Sequence, residues 1–155
     1  LGFSVSASAA IVFISFLIGL GTLYIAWENS YLEVQAAREF WYSLRTSQLH
    51  FDIGNVSISY VNSTHVDVAF TYLGQTLEGK IDVLHNGTYV SSVDVTYLIP
   101  GESYSITIPG GDTSGSLNHL TLAFNNGCVA IIAYHYNGTA YVVDSTSIQC
   151  PMEVS

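Results

Sequence analysis

Basic side chains are nearly missing from this chain. Its 155 residues include only Arg38, Arg45 and Lys80. Affinity for nucleic acid comes largely from clustered Lys and Arg set against phosphate, so that class of partner is excluded. Acids number twelve and bring the net charge to −9, but they are scattered and form no run. The excess is too modest for a salt-adapted surface. Cysteine is scarce too, at Cys128 and Cys150 alone. The Ser-, Thr-, Asn-, Gly- and Tyr-rich surface is of a kind common in exported proteins, and in such a domain two cysteines favour a disulfide. The sequence alone leaves open whether they meet.

Signatures of catalysis are also missing. There is no paired-His zinc helix, no phosphate loop, no Gly-x-Ser-x-Gly elbow and no Cys-x-x-Cys pair. "GGDTSG" at 110–115 has the wording of a protease loop but no supporting constellation, and reads as a Gly-rich loop. His65 and Asp67 share one face of an expected strand; two ligands make a poor metal site, so a solvated face is the better reading. His135 reads as part of a Tyr-rich surface. The expectation is a protein that is not an enzyme and has no cofactor and no metal.

The largest absence is of charge at the start. "LGFSVSASAA IVFISFLIGL GTLYIAW" contains no charged side chain, and the first is Glu28. Phe3 to Trp27 is 25 residues, which as a helix spans roughly 37 Å, enough to cross a bilayer core. A cleaved signal peptide would have a basic start and a shorter apolar core. A core helix apolar all round would need a larger protein about it. A membrane anchor fits best. Phe3, Val5, Ile11, Phe13, Ile14, Phe16, Leu17, Ile18 and Leu20 are its expected contacts with lipid or with a filament core. The small residues Ser4, Ser6, Ala7, Ser8, Ala9 and Ala10, with Gly19 and Gly21 deeper in, either permit close helix packing or are merely tolerated in lipid. With Glu28 and Glu33 following the span, an inside N-terminus and an outside remainder are expected. Leu1 fits either a terminus left by a prepilin-type peptidase or an alternative start codon rendered as leucine.

What is present after the span is organised in two parts. "ENSYLEVQAAREFWYSLRTSQLH" has no Gly and no Pro. Leu32, Ala36, Ala37, Phe40, Trp41 and Leu44 recur at three- and four-residue steps, the pattern of an amphipathic helix. One helix from about Ser4 to about Ser47 is expected, its stripe packing on the following domain by default or else on a neighbouring subunit. After His50 the period changes to two. "NVSISYV", "HVDVAFTYL", "GKIDVLH", "TYVSSVDVTYL", "YSITI", "HLTLAF", "CVAIIAYHY" and "TAYVVDSTSI" read as strands, and Asn86-Gly87 and Asn137-Gly138 as hairpin turns. The expected fold class is α+β: a long N-terminal hydrophobic α-helix followed by an antiparallel Ig-like β-sandwich, with a small barrel as the alternative. The expected parts are a hydrophobic helix at 1–27, an amphipathic extension at 28–49 and a β domain at 50–155. A two-residue turn at Asn137-Gly138 sets Tyr136 opposite Thr139 and Cys128 opposite Ser147. Cys150 then lies three residues beyond that partner.

Four Asn-x-Ser/Thr acceptor patterns begin at Asn55, Asn62, Asn86 and Asn137. Each is an expected N-glycosylation site, although Asn-Gly-Thr is equally good turn chemistry.

"GFSVSASAAIVFISFLIGLGTLY" followed by "ENSYLEVQAARE" resembles the N-terminal region of archaeal type IV pilin-like proteins, and most closely the F and G accessory proteins of the archaellum, the archaeal rotary motility filament. The likeness covers residues 2 to about 39. It implies a helix in the membrane and a β-sandwich outside the archaeal cell, a stationary element against which the motor works. The partners it implies are the membrane, the S-layer protein, and copies of itself or related pilin-like subunits. Filament-forming archaellins and type IV pilins share the same plan, with the helices bundled in the filament core.

Overall fold

The computed structural model describes the backbone of residues 2–151 and the side chains of residues 5–151. The chain divides into two compact units, Leu1–Ser43 and Leu44–Ser155.

The described residues of the first unit all belong to α1, Gly2–Leu49, of 48 residues. At 1.5 Å per residue this helix is about 72 Å long. No proline interrupts it, and Gly19 and Gly21 are carried inside it without a break. It ends where His50 donates its backbone N–H to Thr46 O and its ring Nδ1–H to the same carbonyl at 3.0 Å. A side-chain donor on a last-turn carbonyl is a common stop.

The second unit begins with the last turn of α1. Eight antiparallel strands follow: β1 (Ile53–Tyr60), β2 (His65–Tyr72), β3 (Leu77–His85), β4 (Thr88–Leu98), β5 (Ser103–Pro109), β6 (Asn118–Phe124), β7 (Val129–Tyr136) and β8 (Tyr141–Gln149). They form two sheets, β1-β2-β5 and β4-β3-β6-β7-β8. The α+β class and the sandwich are as expected from the sequence. An immunoglobulin constant domain groups its first, second, fourth and fifth strands in one sheet. Here β4 stays with β3, because Asn86 (φ 49°) and Gly87 (φ 81°) make a two-residue turn with both residues left-handed. That geometry matches strand twist and holds the pair flat on itself.

Alternation places the core. Val66, Val68, Phe70 and Tyr72 of β2 point inward, as do Ile81 and Val83 of β3, Leu120 and Leu122 of β6, and Ala130 and Ile132 of β7. Each large one contributes about 1.5–3 kcal/mol by leaving water. Phe51, just past the helix, plugs the sandwich at one end. Its ring centroid lies 4.7 Å from that of Phe124 and 5.8 Å from that of Tyr72. Beside it Gln48 Nε2–H donates to Asn126 O at 2.8 Å, and Asn126 Nδ2–H donates to Ser47 O at 3.4 Å. Asn126 is buried and also accepts the Cys128 N–H, so the last helical turn and the β6–β7 loop are one packed piece.

One register differs from expectation. The turn between β7 and β8 holds four residues, and Tyr136 faces Tyr141. Asn137 Oδ1 accepts the N–H groups of Thr139 and Ala140, so the asparagine folds inside the loop and does not form a central pair with Gly138. A further irregularity lies between Ala133 and Tyr134, and Val129 faces Gln149. Cys150 therefore lies opposite Cys128, not three residues past its partner. The two form a disulfide with Cα atoms 4.1 Å apart.

Candidate functional site: an uncovered apolar helix

No part of the apolar window of α1 is buried. Val5 is 70% exposed and Phe13 62%, and Ile11, Ile14, Phe16, Leu17, Ile18 and Leu20 are also exposed. Those eight side chains were the ones singled out from the sequence; the side chain of Phe3 lies outside the described residues. Leu23, Tyr24, Ile25 and Trp27 stand equally uncovered and belong with them. The same charge-free run contained them, so the signal was present.

Water is the wrong solvent for such a surface. A soluble monomer rarely leaves more than a few hundred Å² of contiguous apolar patch uncovered. Residues 5–27 alone make about 34 Å of helix, against a hydrocarbon core of about 30 Å. Two hydroxyls of the segment are already paired within it. Ser15 Oγ–H donates to Ile11 O and Thr22 Oγ1–H to Gly19 O, both at 2.8 Å. Hydroxyls folded back onto their own helix lose little on entering hydrocarbon. Nothing lies within 4 Å of where a Cβ would stand on Gly19 or Gly21, so both faces are open to a neighbour. A membrane anchor is chemically within reach of this helix.

The stripe that follows is uncovered as well. Leu32 is 55% exposed, Phe40 64% and Trp41 60%. Cover begins at Leu44.

On the sandwich, the other sequence-predicted residues separate. Asp67 accepts hydrogen bonds from Ser105 Oγ and Thr107 Oγ1 of β5, while His65 Nδ1 meets Thr64 Oγ1, so the two are engaged with different partners. His135 Nδ1 pairs with Asp144 at 2.8 Å on the β7–β8 face. Among the described residues no group of three or more His, Cys, Asp and Glu comes together. The loop 110–115 is tied by Asp112, whose carboxylate accepts from Ser114 N and Oγ, Ser116 Oγ and Asn118 Nδ2. These bonds, the Ser114 N–H first, hold its pKa down at about 2.

The four sequon asparagines take different postures. Asn55 sits in β1 at φ 50° with Nδ2–H on Thr71 Oγ1 at 3.4 Å. Asn86 donates Nδ2–H to Asn118 Oδ1 and accepts His119 N–H, cross-linking the β3–β4 turn to β6. Asn62 lies in the β1–β2 loop and Asn137 in the β7–β8 loop, both exposed. The rings of Tyr60, Tyr136 and Tyr141 lie between those loops, with Tyr60 6.5 Å from Tyr136 and 6.3 Å from Tyr141. Sequence reasoning did not find this cluster, because its members come from three strands of two sheets.

No protein-family model matches the chain, and no curated protein matches it.

Proposed function

We propose that the protein is a non-enzymatic structural component of the archaeal cell surface. Its N-terminal helix sits in the membrane and its β-sandwich stands outside. Its place is in the motility or type IV pilus-like machinery, as an archaellum accessory or stator subunit whose sandwich contacts the S-layer or sister subunits. The observation that carries this reading is the charge-free first half of α1, whose apolar window has no buried part. The Cys128–Cys150 disulfide supports the outside placement, since such bonds persist in oxidising surroundings. The link to motility machinery rests on the wording of residues 2–39.

A second reading is favoured by one observation. Leu32, Val34, Phe40 and Trp41 are exposed apolar residues that lie beyond the length a bilayer covers. Helices of neighbouring copies would cover them in a filament core, which makes the chain an archaellin or type IV pilin subunit.

Electron microscopy of material sheared from native cells, with mass spectrometry of the filaments, separates the two. Absence from filaments, with recovery in the membrane and S-layer fraction, is the result expected for the accessory subunit. Dominance in the filaments replaces it with the filament subunit. Recovery in the soluble cytoplasmic fraction overturns both.

A further inference from the structure

We propose that Asn62 and Asn137 are the sites at which this protein is N-glycosylated, and that Asn55 and Asn86, which carry the same sequence pattern, are not. The inference rests on the outside placement of the sandwich proposed above.

The two favoured sites share one arrangement. Asn62 Oδ1 accepts Thr64 N–H at 2.9 Å, Thr64 Oγ1–H at 2.9 Å and His65 N–H at 2.8 Å. Asn137 Oδ1 accepts Thr139 N–H at 3.0 Å, Thr139 Oγ1–H at 2.9 Å and Ala140 N–H at 3.0 Å. In each case the oxygen is identified by the backbone N–H groups it accepts, so the opposite atom is the nitrogen. Neither Nδ2 has a protein partner among the described residues, and both residues are exposed. The threonine two positions on is the residue that defines the acceptor pattern, and here its hydroxyl is seated on the carboxamide.

That arrangement suits the chemistry. A carboxamide nitrogen is a poor nucleophile because its lone pair is shared with the carbonyl. Donors on Oδ1 stabilise the negative charge that gathers on oxygen as the nitrogen gives up a proton. The co-reactant is a sugar activated as a lipid-linked glycosyl phosphate or diphosphate, brought by a membrane transferase. Nδ2 attacks the anomeric carbon and a C–N bond forms. The bond from that carbon to the phosphate oxygen breaks, and its electron pair leaves on the phosphate. The Nδ2 proton passes to a base of the transferase, and nothing is oxidised or reduced.

The other two sites do not offer this. Asn86 turns its nitrogen onto Asn118, which is 2% exposed, and its oxygen onto His119 N–H. Thr88 begins β4, opposite His85, and makes no bond to the Asn86 side chain. Asn55 points its nitrogen at Thr71 across the β1–β2 ladder, and Ser57 is paired in that ladder opposite Ala69. The glycans would sit on the two loops that flank the half-exposed Tyr60 ring, a flat apolar surface on which a sugar can lie.

The test is glycopeptide mass spectrometry of the full chain, purified in detergent from exporting archaeal cells that N-glycosylate a co-expressed surface reporter bearing Asn-Gly-Thr. Intact cells of the same culture are first labelled with a membrane-impermeant amine reagent, which reads the exposed Lys80 of β3. The expected result is glycan on Asn62 and Asn137, bare Asn55 and Asn86, and Lys80 labelled. Thr64→Ala and Thr139→Ala each abolish glycan at their own site alone, and Thr64→Ser retains it. Bare Asn62 and Asn137 with Lys80 labelled and the reporter glycosylated overturn the inference and leave the surface role intact. So does Asn86 occupied as fully as the other two. Lys80 unlabelled in intact cells but labelled after lysis overturns the surface placement, and the glycan inference falls with it.

Discussion

At Gly79 a Cβ would stand 1.6 Å from the carbonyl oxygen of Val95 on the paired strand. The close approach lies at the irregularity between Glu78 and Gly79 in the β3–β4 ladder, where only a residue without a side chain fits. Gly79→Ala should destabilise the sandwich by about 3 kcal/mol, the upper part of the range for overpacking, because the obstacle is backbone. Chemical denaturation followed by tyrosine near-ultraviolet circular dichroism reads this, and an unchanged midpoint would mean that the strands part there freely. Asp112 offers a second check. Its folded pKa of about 2 lies below its ordinary 3.8. The ordering it lends to loop 110–116 is therefore complete above about pH 4 and is lost as the pH falls towards 2. Carboxyl carbon NMR should find that midpoint, and Ser114→Ala should raise it; a midpoint near 3.8 in the native chain would show that the Ser114 and Ser116 bonds are not made. From the sequence, glycines had marked 110–115 as a loop. The oxygens that meet inside it were illegible, because spacing does not say which way a hydroxyl turns.

The elements were easier to read than their partners. All eight strands appear where alternation of Val, Ile, Thr and Tyr with polar residues put them, with ends within about two residues. The helix extends two residues further at each end than Ser4–Ser47. The β7–β8 register was misread because Asn-Gly was taken as a tight turn, whereas the Asn137 side chain bonds inside a longer loop. That local competition between side chain and backbone is common for asparagine, and sequence does not announce the winner. The correction changes what the disulfide does. It joins residues directly opposite each other and clamps the free end of the edge strand β8. Cys150→Ser should cost about 3 kcal/mol on the chain-entropy estimate for a 22-residue separation. Hydrogen exchange should accelerate at Ile148 and Gln149 and remain slow at Val142. Equal protection along β8 would mean that the ladder alone holds it.

For the molecule as a whole, the charge-free opening proved the most informative stretch, because hydrocarbon tolerates so little else. Ile14→Arg should abolish membrane retention and filament assembly alike, since an unpaired charge in the bilayer costs on the order of 3 kcal/mol even on a lenient scale. Cell fractionation reads this, and wild-type localisation of the variant would remove the helix from both functional readings. The partition of strands between sheets was not legible, since the β3–β4 turn could be named from Asn-Gly but not the sheet that the pair would join. The four acceptor asparagines were legible only as a pattern, and choosing among them required knowing where each carboxamide nitrogen points.

When the chain is pulled from its two ends, the Cys128–Cys150 bond limits how far it can stretch. The residues between the two cysteines lie inside a covalent ring, so tension carried along the chain passes across the bridge and not through β7 and β8. At about 3.4 Å per extended residue, roughly 70 Å of contour length is withheld. Single-molecule stretching should show an unfolding step that grows by this amount after reduction. Oxidised, only the strands outside the ring, β1 to β6, lengthen under load.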